Sequence, residues 1–159
     1  MNAKTANAGN SAGDSTRWAA VALGWAVAVL AGVVLSPALR LLYGFLAGPG
    51  AERGSFTAAV VVVSLVAGFL SYLLGGIVAA RLGRRSGQKH GALTAFAGLT
   101  AGLVLALILA PFQLVFPEGV ALPPACFGLE AEGLVAGLIL FLVNLFGGFV
   151  GGTLGEPLR

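Results

Sequence analysis

Four long apolar runs, separated by short polar stretches, set out the chain. The first is uncharged from Trp18 to Ser36 and stays apolar as far as Leu46 apart from Arg40. The second covers Phe56 to Ala80, the third Gly91 to Phe116 and the fourth Gly133 to Gly155. Each approaches or exceeds the roughly 20 residues a helix needs to cross a hydrocarbon core about 30 Å thick. The pattern predicts an all-α fold, an integral membrane four-helix bundle, as one transmembrane domain over residues 17–159. The expected spans are 18–36 with an extension to 46, 56–80, 91–116 and 133–155.

Pro37 removes a backbone donor and crowds the preceding turn, so the first helix is expected to kink or stop there. Two readings stay open: the helix continues obliquely with Arg40 near the outer surface, or residues 38–46 form a short interfacial segment. In both Arg40 points outward, because a charge at the bilayer centre costs on the order of 2.5–3.5 kcal/mol.

Within the runs, small residues recur every fourth position. Ala67, Ser71, Gly75 and Ala79 form one such stripe, and Thr94, Gly98, Gly102, Ala106 and Ala110 another. The fourth run carries Gly147, Gly148, Gly151, Gly152 and Gly155, which leaves one face of that half almost without side chains. Lipid gives helices no hydrophobic reason to associate, so close approach over small residues must hold them together. Gly75, Gly76, Gly98, Gly102, Gly147, Gly148, Gly151 and Gly152 are the expected packing positions.

The densest charge lies between the second and third runs, in Arg81, Arg84, Arg85 and Lys89, with His90 beside them. Short basic loops stay on the cytoplasmic side. Lys4, Arg17, Arg81, Arg84, Arg85, Lys89 and Arg159 then fall inside against Asp14 and Glu156. Arg40 and Arg53 fall outside against Glu52, Glu118, Glu130 and Glu132. That bias puts both termini in the cytoplasm and the protein in the plasma membrane. Anionic lipid headgroups are the expected contact of Arg81, Arg84, Arg85, Lys89 and His90.

Composition agrees: 58% of the 159 residues are hydrophobic and 9% charged, against about 45–50% and 25% in soluble domains. Behind the net charge of +3 the basic residues gather on one membrane face and form no stripe on a soluble fold, which argues against a nucleic-acid partner. Residues 1–16 lack apolar periodicity and read as a disordered cytoplasmic tail. The run after them is longer than the 7–15-residue core of a cleaved signal. The single Cys126 cannot form an internal disulfide, a zinc site or a paired redox motif.

The second and fourth runs end alike. LLGGIVAARLG from Leu73 and LFGGFVGGTLG from Leu145 share Gly75-Gly76, Val78, Leu82 and Gly83 with Gly147-Gly148, Val150, Leu154 and Gly155. Two parallel repeated helical hairpins would produce this echo.

Around the basic turn, Gly75-Gly76, Ala79-Ala80-Arg81 and His90-Gly91-Ala92 form GGxxAxR and HGA elements. This arrangement resembles a family of small uncharacterised prokaryotic four-helix membrane proteins. The resemblance covers Gly75 to Ala92 and the span layout, and implies a bacterial integral membrane protein without assigning an activity.

For chemistry the runs offer Ser64, Ser71, Tyr72, Thr94, Thr100, Gln113 and Asn144, with no catalytic pair by spacing. Asn144 is expected to make an intramembrane polar contact, either a bond between helices or a point on a solute path. His90 is expected to cap the third span at the membrane edge, with a pH-sensing role as the alternative. No catalytic residue, metal ligand or cofactor is expected. The expected function is a non-enzymatic scaffold, accessory or assembly subunit, working as a homo-oligomer or with another membrane protein; the alternative is a small oligomeric transporter or channel.

Overall fold

The computed structural model describes residues 17–47, 58–83, 86–113 and 134–156. These form four helices: α1 (Trp18–Ala47), α2 (Ala58–Gly83), α3 (Gly87–Gln113) and α4 (Leu134–Gly155). Stretches within α1, α2 and α4, namely Trp18–Leu46, Val61–Gly83 and Gly137–Gly155, are long and apolar enough to cross a membrane. In α3 the one charged residue, Lys89, lies in the first turn.

One boundary decides between the open readings and another differs from the sequence expectation. α1 runs through Pro37 as one helix of 30 residues, so the helix does not stop there and no separate segment forms over 38–46. Proline forfeits one backbone bond, whereas ending the helix in an apolar stretch would strand several polar backbone groups with no partner at hand. At 1.5 Å per residue α1 is roughly 45 Å long, and its far half outreaches the packing. There Leu41, Leu42, Phe45 and Leu46 are all exposed, and Gly44 has nothing within 4 Å of where a Cβ would lie. Arg40 is exposed, as expected.

The boundary that differs is the basic turn. α2 continues to Gly83 and α3 begins at Gly87, so Arg81 belongs to the last turn of α2, and Lys89 and His90 to the first turn of α3. Ser86, with φ 53°, adopts the left-handed conformation and lets α3 start within three residues of the end of α2.

The first turns of α1 and α3 and the last turns of α2 and α4 meet at one end, so neighbours in the chain are antiparallel. α2 and α3 each touch all three other helices, while α1 and α4 share no contact among the described residues. The core is made of small side chains: Ala20, Ala28, Ala67, Ser71, Ala79, Ala80, Thr94 and Ala95 are buried, with Tyr72 and Val21 the largest. Leu, Val and Phe turn outward, among them Leu30, Val34, Leu107 and Phe146. This inverts the usual soluble bundle and matches helices held by close approach.

α4 uses two faces where one thin face was expected. Gly147, Gly151 and Gly155 lie against the backbone carbonyls of Phe69, Leu73 and Ile77, one turn apart on parallel α2. Gly148 and Gly152 lie against the carbonyls of Gly91 and Gly87 on antiparallel α3. Each carbonyl occupies the place of the missing Cβ, the geometry of a Cα–H···O contact worth perhaps 0.5–1 kcal/mol. On the other side of α2, Gly75 and Gly24 approach each other's carbonyls in the same way. Gly76 and Gly148, which correspond in the echoed sequences, touch, and α2 and α4 both end on the glycine that closes the echo, Gly83 and Gly155.

Candidate functional site

The polar end of the bundle is assembled from all four helices. Arg17 precedes α1, and its carbonyl accepts the backbone N–H groups of Ala20 and Val21, so it serves as the N-cap residue. The backbone N–H of Arg17 donates to Nε2 of His90, 3.2 Å away. The other ring nitrogen, Nδ1, lies 3.1 Å from the Ser86 carbonyl, which also accepts the His90 backbone N–H at 3.2 Å.

These partners define the imidazole. A backbone N–H can only donate, so Nε2 is the acceptor and the ring's proton sits on Nδ1, donated to Ser86. His90 is 5% exposed, and a Cβ at Gly83 would stand 3.0 Å from its Cγ and Nδ1. One side chain thus ties the start of α1, the α2–α3 turn and the last residue of α2. His90 does not share the outer surface with Arg81 and Lys89, which are exposed. The expected headgroup contact is corrected for this residue, because both its nitrogens face protein. Arg84 and Arg85 lie outside the described residues.

Glu156, just beyond α4, completes this end. Its Oε1 accepts the backbone N–H of Gly87 at 2.7 Å. A carboxylate from one helix thereby caps another, where the positive end of the helix dipole favours negative charge. Sequence reasoning had counted Glu156 only as a charge. No local pattern signals the cap, because Gly87 and Glu156 lie 69 residues apart in the chain.

Three hydroxyls, the buried Ser71 and Thr94 and the exposed Thr100, are turned back on their own helices. Ser71 donates to the Ala67 carbonyl at 2.6 Å, Thr94 to Gly91, and Thr100 to Phe96 at 2.9 Å. Such back-bonding satisfies a hydroxyl without a second helix and occupies the proton a nucleophile would have to lose. Among the described residues no three His, Cys, Asp or Glu side chains gather where they could hold a metal ion.

Asn144 is 4% exposed, and its Oδ1 has no hydrogen-bond partner. The oxygen presses on Gly68 of α2, so Asn144 meets a second helix, but Oδ1 makes no bond there. Trp25 Nε1 and Ser36 Oγ are likewise buried without partners; neither was singled out from sequence, since an indole or hydroxyl in an apolar run gives no sign of where it will point. Of the packing glycines, Gly98 lies against the Tyr72 hydroxyl and 3.3 Å from Trp25 Cδ1, measured from its absent Cβ, and Gly102 is buried. Cys126 and the acidic residues Glu118, Glu130 and Glu132 fall outside the described residues.

The described residues form an all-α fold of four helices, three of them long and apolar enough to span a membrane. The chain matches no protein-family profile, no curated protein and no solved structure.

Proposed function

We propose that the chain is a multi-pass integral protein of a bacterial plasma membrane, a four-helix bundle with both termini cytoplasmic. It acts there as a non-enzymatic scaffold, accessory or assembly subunit. The observation that carries this reading is the filling of the interior by backbone. α4 is seated on α2 and α3 through glycines, and the hydroxyls of Ser71, Thr94 and Thr100 back-bond within their own helices. Such an interior is built to hold helices in register. Arg81 and Lys89, exposed at the polar end, suit anionic headgroups, each worth about 1 kcal/mol near a charged leaflet. The contact of Gly76 with Gly148 supports descent from two parallel hairpins, and the GGxxAxR and HGA elements support the likeness to small prokaryotic four-helix membrane proteins.

A second reading, a small oligomeric transporter or channel, is favoured by Asn144, whose unbonded buried oxygen is the kind of group a solute path displays. Two measurements separate the readings. Intact mass in mild detergent should give a homo-oligomer or a complex with another membrane protein. Vesicles containing the purified protein should stay tight to ions and small solutes; a solute-selective flux removed by Asn144→Leu would overturn the scaffold and establish the transporter.

A further inference from the structure

We propose that His90 is a proton-operated latch between the start of α1 and the α2–α3 turn. The argument rests on hydrogen-bond polarity. Nε2 is held as an acceptor by a backbone N–H that cannot reverse its role, 3.2 Å away. Histidine is the side chain that takes up a proton between about pH 5 and 8, and the lone pair receiving that proton is the one Arg17 N–H uses. After protonation two N–H groups face each other and the bond is lost. The Nδ1 bond to Ser86 survives, since that nitrogen is a donor in both forms. The latch therefore opens on one side only: the ring stays on the α2–α3 turn and α1 is let go.

The surroundings reinforce the effect. The charged residues that the described helices bring to this end are Arg17 from α1, Arg81 from α2, Lys89 from α3 and Glu156 beyond α4. Arg84 and Arg85 follow α2 in the chain. An imidazolium would be a new positive charge on a ring that is 5% exposed. The one carboxylate among the described groups is engaged by the N–H of Gly87. A buried cation without an acceptor at Nε2 is costly, and withdrawing α1 so that water reaches the nitrogen relieves that cost. What is released is the N-cap of α1, so the first turn, Trp18 to Val21, should fray with it.

Hydrogen exchange tests the latch in the full-length protein in detergent micelles. Amide protection of residues 17–21, corrected by an unstructured peptide of the same sequence, is compared at about pH 8 and about pH 5. Protection of the wild type should fall roughly tenfold at acid pH, the order expected for losing one such bond. In His90→Gln, whose amide does not titrate in this range, it should be independent of pH. Glu156→Gln should keep the wild-type dependence. A wild type without pH dependence, the same dependence in His90→Gln, or its loss in Glu156→Gln would each overturn the proposal. Should His90→Gln fail to fold, ring nitrogen chemical shifts of the wild type decide it. The Nδ1-protonated tautomer must give way to the doubly protonated ring in step with the Arg17 amide shift; an Nε2-protonated ring or an unmoved amide sinks the latch.

Discussion

Gly151 of α4 lies directly against the backbone carbonyl of Leu73 on α2, with the carbonyl where a Cβ would be. The same relationship joins Gly147 to Phe69 and Gly155 to Ile77, so the two helices share a register that no side chain can enter. Gly151→Leu must push α4 off a backbone that cannot yield, and overpacking of this kind costs about 1–3 kcal/mol or more. Its thermal midpoint in detergent should fall by several degrees. Gly44→Leu, in open space, should leave the midpoint nearly unchanged. Equal tolerance at both positions would mean that α4 does not sit on α2.

Removing the cap that Glu156 places on Gly87 should cost about 1 kcal/mol, as for other N-cap losses. Glu156→Ala should lower the thermal midpoint and speed amide exchange in the first turn of α3. Glu156→Gln keeps an acceptor and should fall between the two. If Gln and Ala behave alike, the charge and its interaction with the helix dipole carry the effect, not the bond.

Asn144 holds a buried oxygen with no partner, a state that costs on the order of 1–3 kcal/mol. Asn144→Leu should therefore raise the thermal midpoint without changing the assembly mass. A lower midpoint would reveal that the amide is bonded, through water or a bound solute, in the working protein.

Threading can be read with cysteine probes on a Cys126→Ser background. Gln88→Cys, exposed in the first turn of α3, should be shielded from an impermeant thiol reagent in intact cells, and so should Ser11→Cys. Native Cys126 in the unmodified chain should react. Labelling of Gln88→Cys from outside would reverse the topology.

Much of the fold was legible because it depends on composition over long windows. The uncharged runs located the helices, and the stripe Ala67, Ser71, Gly75, Ala79 is buried at every position. Helix ends were less legible. The start of α3 at Gly87 depends on a carboxylate 69 residues away and on the left-handed Ser86, neither of which local periodicity encodes. At Pro37 the sequence left continuation and termination both open, because the lost backbone bond and the cost of ending a helix among apolar residues pull in opposite directions. The role of His90 was hidden for a related reason: its partner on α1 is a main-chain group at Arg17, and main-chain groups leave no mark in a sequence.

The seating of α4 also bears on how the protein comes to be made. α4 is synthesised last, yet α2 and α3 are shaped to receive it, with carbonyls at Phe69, Leu73, Ile77, Gly87 and Gly91 lying beneath its glycines. A ribosome that has delivered only the first three helices leaves that row open. Any glycine-faced helix from another chain could compete for the vacancy, and a chain stalled or cut before α4 would offer quality-control proteases an unfinished surface. Variants along α4 should thus be felt first as changes in how much protein accumulates, before any change in what the surviving protein does.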